Sequence, residues 1–335
     1  MTSIDAWTAS DPDERQRWLS VLQDWTGSPP AAFPSYLELF APDGEVVLMH
    51  RRDGARTTVM PLVLRRIPGE ADAWDAVGPY GYGAAFSNQG DPDPAFWEAV
   101  GEWALGRGLV SIVVRLPVTS DTHVDWPFDR HDVGLNVVRD VVAWDDFWDD
   151  VDRKVRKNYR RATTAGLTVE RVRPEDGIDD FLTLYLGTME RRDAVGSFHL
   201  DETRLSQLVD DLGPRADLFF TVEVGRRIST ELVLREGSTA YSFLGRTDDS
   251  RFEMRPNDLL KCEIVRWAVD EGLARYVLGG GVGGSGDGIF RYKRAFAPTG
   301  VVPFAIGEWV VDRSAYERLA ARANGTKASG WPRYR

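Results

Sequence analysis

Lys293 stands among aromatic side chains in Phe290-Arg291-Tyr292-Lys293-Arg294-Ala295-Phe296, in a chain with only five lysines. Aromatic neighbours limit the hydration of an ammonium, and such an ammonium can stabilise a phosphate or a developing oxyanion. A surface lysine laying its stem over apolar neighbours is the other reading of the same residues. Just upstream, Gly279-Gly280-Gly281-Val282-Gly283-Gly284 formally fits GxGxxG after a predicted strand. Ser285-Gly286-Asp287-Gly288 reads as more loop with no helix opening behind it, so a dinucleotide cradle is not expected. Glycines here either let a substrate approach backbone N–H groups or simply connect two elements. Around Ser285 the GxSxG pattern fails, because Asp287 takes the place of the last glycine. The four histidines (His50, His123, His131, His199) lack zinc-ligand spacing, Cys262 is the single cysteine, and no Walker A pattern occurs. A serine triad, a metal centre and a disulfide framework are therefore not expected.

A second group of residues carries charge. Arg153, Lys154, Arg156, Lys157, Arg160 and Arg161 place six cations within nine residues. On a helix, 153, 157, 160 and 161 share roughly one face. That face reads either as a phosphate-binding surface or as a solvated face countered by Asp145, Asp146, Asp149, Asp150 and Asp152.

The elements that must position these residues follow a repeated order. Glu45–Arg52 and Arg56–Arg66 read as strands around an Asp53-Gly54 turn. Ala73–Val77 follows as a third strand, then the Gly78–Gly83 loop, a helix with Asp93 as cap and Pro94 first, and the strand Leu109–Leu116. Further on, Asp217–Val224 and Ile228–Arg235 flank a Gly225-Arg226-Arg227 turn. They lead to the strand Thr239–Gly245, a helix opened by Pro256 with Asn257 as cap, and the strand Ala274–Leu278. The same βββαβ order at similar spacing suggests a duplicated domain. Pro12–Gln23, Asp145–Ala165, Asp179–Arg192, Asp201–Leu212 and Ser314–Asn324 read as further helices, and Asp129–Arg139 as the crossing between domains.

Length and composition agree. The 335 residues exceed one typical domain, and 43% apolar residues allow sizeable cores. The net charge of −11 excludes a uniformly basic nucleic-acid-binding protein, though not a local basic patch. Residues 1–140 hold 11 basic and 21 acidic side chains, a net −10; residues 141–335 hold 30 and 31, a net −1. If either part handles an anionic partner, the second is expected to. The start of the chain lacks the basic and apolar stretches of a signal peptide, and the longest apolar run is strand-sized. A soluble cytoplasmic protein is expected, with a peripheral membrane contact left open.

Together these segments resemble the Fem-type peptidyltransferases, the FemABX family of aminoacyl-tRNA-dependent aminoacyltransferases, twin-domain relatives of the GNAT superfamily. The likeness runs through Lys154-Val155-Arg156-Lys157-Asn158-Tyr159-Arg160-Arg161-Ala162 with Gly166-Leu167-Thr168-Val169, and through Phe181–Tyr185 with Thr188-Met189-Glu190-Arg191. It continues in Arg255-Pro256-Asn257-Asp258-Leu259-Leu260, Leu278-Gly279-Gly280-Gly281 and Tyr292-Lys293-Arg294-Ala295-Phe296, where Tyr292 replaces the family's Phe. The first half matches more weakly, through Gly78-Pro79-Tyr80-Gly81-Tyr82-Gly83. The resemblance implies an α/β fold with a mixed sheet, built as two tandem GNAT-like (acyl-CoA N-acyltransferase-like) domains, 1–140 and 141–335. It implies an N-aminoacyltransferase that joins an aminoacyl group from aminoacyl-tRNA to an amine acceptor, a peptidoglycan precursor or a small specialised metabolite, with no cofactor and no metal. By analogy Lys293 is the catalytic cation, and Arg191 binds the acceptor's phosphate. Tyr80, Tyr241 and Asn257 are further substrate-pocket candidates, and Asp287 could orient an amine. Arg153, Lys157, Arg160 and Arg161 would bind tRNA. The helical arm of some family members is absent. Two alternatives remain. An acyl-CoA-dependent N-acyltransferase would need a glycine-containing pyrophosphate loop, which Arg246–Arg255 lacks. A non-catalytic binding protein would have kept only the fold.

Overall fold

Asp11, directly before Pro12, accepts hydrogen bonds from the Asp13 and Glu14 amides and opens the first helix as its sequence predicts. The computed structural model describes residues 4–41, 43–118, 126–186, 202–281, 286–323 and 331–335. In chain order it contains β1 (Asp5–Thr8), α1 (Pro12–Asp24), α2 (Pro34–Phe40), β2 (Glu45–Asp53), β3 (Arg56–Arg66), β4 (Trp74–Val77), β5 (Phe86–Ser87), α3 (Pro94–Gly106), β6 (Leu109–Arg115) and β7 (Asp129–Asp140). Then follow α4 (Trp144–Asp150), α5 (Arg153–Thr164), β8 (Thr168–Val172), α6 (Pro174–Leu186), α7 (Glu202–Leu212), β9 (Ala216–Glu223), β10 (Arg226–Glu236), β11 (Thr239–Thr247), α8 (Pro256–Asp270), β12 (Arg275–Gly279), α9 (Gly288–Arg294), β13 (Val301–Val310) and α10 (Arg313–Ala323). No helix among the described residues is long and apolar enough to cross a membrane.

The chain divides into two compact bodies, one of residues 1–133 with 304–335, the other of residues 134–303. The expected division placed everything after 140 in the second part. The last segment instead returns to the first body, because β13 pairs antiparallel with β6 from Ile306↔Arg115 to Val310↔Ser111. Ala315, Tyr316 and Leu319 of α10 then pack on Ile67 and Val110.

In the first body the strand order is β1-β2-β3-β4-β6-β13. Phe96, Trp97 and Val100, on one stripe of α3, are buried against Met60, Leu62 and Ile112 of the sheet. Each such side chain contributes about 1.5–3 kcal/mol by leaving water. In the second body the order is β7-β12-β11-β10-β9-β8. Residues alternate across its sheet. Phe219, Val233, Ala240 and Tyr276 share a core with Leu260 and Ile264 of α8 and Val155 of α5. On the opposite face, Leu218 and Phe220 meet α6, where a Cβ on Gly177 would lie 3.2 and 3.1 Å from their side chains. The βββαβ order is present in both bodies, as β2-β3-β4-α3-β6, with the two-residue β5 added before α3, and β9-β10-β11-α8-β12.

Three local readings change. The helix expected over 145–165 is two helices, because Val151 is extended and Asp152 caps a new start by accepting from the Lys154 amide at 2.7 Å. A short helix, α9, does follow the glycine stretch: Asp287 caps it by accepting from the Phe290 amide. The β9–β10 turn is Val224-Gly225, with both residues at positive φ (47° and 78°). Val224 is fully exposed. A β-branched residue in this region is strained by roughly 1–2 kcal/mol and here gains no packing in return. Val224→Gly is therefore expected to raise stability by up to about 1 kcal/mol, read as a small rise in Tm. A drop in Tm would mean that the valine makes a stabilising contact.

Candidate active site

β11 and β12 run parallel but pair only at Thr239↔Arg275, Ala240↔Tyr276 and Tyr241↔Val277. Beyond Tyr241, β11 continues to Thr247 and β12 to Gly279 with no further pairing between them. The two edges diverge from Ser242 and Leu278 onward. A register shift between Val277 and Gly279 against β7, and Gly279 at φ +81°, bend β12 at this point. The first body does not open in this way. There β4 and β6 pair from Trp74↔Leu109 to Val77↔Val113. The ladder is then prolonged by Gly78 N–H to Val113 O at 2.9 Å and Gly83 N–H to Arg115 O at 2.8 Å. The opening between parallel strands thus lies in the second body, where the chemically suggestive residues are.

Lys293 reaches the rim of this opening. Phe290 and Phe296 are buried in the core and anchor α9, and the Lys293 ammonium donates to Gly280 O at 2.8 Å. Burial pushes its pKa down from 10.5 to about 8, Lys261 adds repulsion, and Glu231 and Asp287 oppose the shift. The Asp287 carboxylate packs against the backbone at Gly281, where an added Cβ would lie 2.2 Å from Oδ2. Glycine at 281 is thus the residue that admits this carboxylate, and Asp287 holds α9 in place.

Beneath the opening lies a buried polar cluster. Lys261 Nζ stands 2.6 Å from Glu231 Oε2 and donates to Ser242 Oγ at 2.7 Å and Tyr276 Oη at 3.2 Å. Tyr276 donates in turn to Glu231. All three ammonium protons therefore have partners, and the side chains of Lys261 and Glu231 are 7% and 2% exposed. The Tyr292 hydroxyl is buried with no partner among the described residues, and burial pushes its pKa well up. Nearby, Asn158 donates to Asp258 at 2.9 Å, and burial raises the Asp258 pKa.

The sequence candidates fall in several places. Lys293 and Asp287 come together. Tyr241 does not join them: its hydroxyl donates to Glu236 at 3.1 Å, at the β10–β11 turn, and burial raises the Glu236 pKa to about 7. Asn257 does not cap α8. Arg255 holds that position at φ +63°, Pro256 is the first helical residue, and Asn257 follows half-buried in the first turn. Tyr80 belongs to the first body, its ring stacked on Phe40 at 4.4 Å. Arg191 lies outside the described residues, as do His123, His199 and Ser285. On α5, Arg153, Lys154, Lys157, Arg160 and Arg161 are exposed, while Val155, Asn158 and Ala162 face the core. Arg156 instead turns back to the carbonyls of Trp148, Asp149 and Val151 and finishes α4. Arg161 meets Glu253 at 3.4 Å. Among the described residues no group of three or more His, Cys, Asp or Glu could hold a metal ion.

Lys261 and Glu231 are the residues that the sequence reading missed. A signal was present: a lysine inside the apolar run Leu259-Leu260-Lys261-Cys262, with Ile264 and Val265 following, in a chain poor in lysine.

Residues 150–294 match the family model described as "Acetyltransferase (GNAT) domain". The chain carries a GNAT acyltransferase domain. The matched range runs from the end of α4 to one residue past Lys293, so it contains the opening, the buried cluster and α9. The crystal structure of FemX is similar over 91% of this chain and 98% of its own, with a TM-score of 0.65 at 14% identity. The C-terminal domain (DUF2156) of a putative lysylphosphatidylglycerol synthetase from Agrobacterium fabrum is similar over 93% and 96%, with a TM-score of 0.59 at 15% identity. A conserved protein of unknown function from Bacteroides thetaiotaomicron is similar over 92% and 100%, with a TM-score of 0.58 at 11% identity. No curated protein sequence matches the chain. At these identities the likenesses concern the fold. The fold is similar to that of FemX, and the range matched by the GNAT domain model lies in the body with the open strands.

Proposed function

We propose that the chain is an N-aminoacyltransferase that moves an aminoacyl group from aminoacyl-tRNA to an amine acceptor, a peptidoglycan precursor or a small amine-bearing metabolite. The observation that carries this reading is one body holding three things: an opening between parallel strands, a half-buried ammonium at its rim, and an exposed face of five cations on α5. The ester of the donor is already activated, so the reaction asks for orientation and charge stabilisation and for no cofactor. The acceptor amine attacks the ester carbonyl, and the carbonyl electrons move onto oxygen. Lys293 stabilises that oxyanion. Collapse breaks the bond to the ribose oxygen, which takes up a proton as the new amide nitrogen loses one. The donor's nucleic acid lies along Arg153, Lys157, Arg160 and Arg161. Arg191 holds an anionic group of the acceptor, and Asn257 takes part in substrate contact.

The acyl-CoA alternative fits the same opening less well. A GNAT pyrophosphate rests on amides of the turn that follows the first diverging strand. Here that turn runs from Asp248 to Arg255 without a glycine, and Asp248 already accepts from the Ser250 amide at 3.0 Å. Asp249 and Glu253 add negative charge, and Pro256 brings no N–H to the helix start.

The deciding experiment compares binding of aminoacyl-tRNA and acetyl-CoA over a range of salt. Salt-sensitive tRNA binding is expected. Charge reversal at Lys157 and Arg161 should then weaken binding and flatten the dependence of log K on log salt by roughly 0.7–0.9 for each phosphate that is no longer neutralised. An unchanged slope removes the α5 face from the donor site, and binding of acetyl-CoA alone moves the protein to the CoA-dependent class.

A further inference from the structure

The first body contains a cation with no counter-charge among the described residues. Arg115 ends β6, half-buried. Its guanidinium lies 5.3 Å from the Tyr80 ring centre, and its hydrogen bond to Pro79 O is long, at 3.5 Å. The charged or titratable groups that act on it are Tyr80, Tyr36 and Arg65, with no carboxylate among them. Three other sheltered arginines hold carboxylates: Arg51 holds Asp93 at 2.6 Å, Arg65 holds Asp75 at 2.8 Å, and Arg139 holds Asp150. Half-buried Arg156 is met instead by three backbone carbonyls. A partly desolvated cation with no anion costs stability, and burial lowers the pKa of Arg115.

Its surroundings are built and aromatic. The Gly78–Gly83 loop folds over the strand end and is tied to it through Gly83 N–H to Arg115 O. The Tyr36 hydroxyl fixes the loop by donating to Tyr80 O at 2.9 Å. Phe40 stacks behind Tyr80, and Tyr82 meets Phe304 edge-on at 5.9 Å. Tyr80 itself remains 39% exposed, so the place is open to solvent. A guanidinium presents planar paired donors that suit carboxylate and phosphate, and the aromatic walls suit a flat apolar face.

We infer that Arg115 and the tyrosine-bearing loop around it form a binding site for a small ligand that carries a phosphate or carboxylate on a flat ring. The ligand's anion supplies the counter-charge that the fold withholds. The residues of this site all belong to the first body, and its existence does not depend on the identity of the acyl donor.

Titration calorimetry with phenyl phosphate, phenylacetate and uncharged benzyl alcohol tests it on the full chain. At least one of the two ring anions should bind and the alcohol should not. The stronger of the two tells whether phosphate or carboxylate is the native group. Arg115→Met should weaken that binding by roughly 10–100-fold, the loss of a charge-assisted pair. Its Tm should hold or rise, because the variant removes a partly buried cation that has no carboxylate partner among the described residues. Arg115→Lys should keep part of the affinity. Failure of both anions to bind, equal binding by the methionine variant, or a clear fall in its Tm would overturn the inference. The probes contain neither an aminoacyl nor a nucleotide part, so these outcomes are distinguishable from failure of the transferase reading.

Discussion

Lys293→Ala is expected to lower kcat by roughly 10²–10³-fold, the loss typical of removing a donor aimed at an oxyanion, while leaving the fold intact. Among the described residues the side chain makes one hydrogen bond, to Gly280 O, and α9 is held by Phe290, Phe296 and the Asp287 cap. The same residue sets a pH limit. Its folded pKa, about 8, is lowered from 10.5. The cation is present below about 8 and is lost as pH rises through that value, so kcat/KM should fall on the alkaline side with a midpoint near 8. Lys293→Arg keeps the charge and should abolish that descending limb while retaining part of the rate. Near-normal turnover in the alanine variant, or an unchanged limb in the arginine variant, would take the catalytic role away from Lys293.

The largest stability effect is expected at the Lys261–Glu231 pair. Lys261→Met leaves Glu231 ionised, almost wholly buried, and bonded only to Tyr276 among its present charged and hydroxyl partners. Breaking one side of a buried ion pair typically costs about 3–5 kcal/mol. Unfolding in urea should show that loss. It should grow with pH, since an unpaired buried carboxylate has a raised pKa and is accommodated by protonation at low pH. Lys261→Met with Glu231→Leu removes both charges and should recover most of the loss. The single variant should also move the alkaline limb of activity upward, because Lys293 is freed from the repulsion of Lys261 and keeps the attraction of Glu231. A single variant as stable as wild type would mean that Lys261 is neutral in the folded protein and that the pair carries no charge.

Much of the fold was legible because its signals are local. Alternating apolar residues, Asp-Gly and Gly turns, and proline at helix starts sufficed for both βββαβ runs. The order of the Fem-like segments pointed to tandem GNAT-like domains. What stayed hidden depends on context. Seven residues beginning with Gly288 carry too little periodicity to read as a helix, yet Asp287 and two buried phenylalanines make them one. Val151 interrupts an amphipathic pattern that looks continuous. Glu231 and Lys261 stand thirty positions apart and become partners only when α8 packs on β10. For Arg115 the decisive property is the lack of a carboxylate nearby among the described residues, which no inspection of neighbours in sequence can reveal. Tyr241 shows the converse: its residue type suited a pocket, but the turn at Glu236 claims its hydroxyl.

The return of residues 304–335 to the first body bears on how the protein is made. When a ribosome has released residue 133, β6 still lacks β13, and the apolar surface at Ile67 and Val110 awaits α10. Another 170 residues must be synthesised first, roughly 10–30 s at about 5–20 residues per second. During that interval residues 134–303 emerge as an uninterrupted stretch and can complete their own sheet. Vectorial synthesis therefore favours maturation of the body of residues 134–303 before the first body closes. A chain cut near residue 140 would present β6 as a bare sheet edge, a ready template for aggregation.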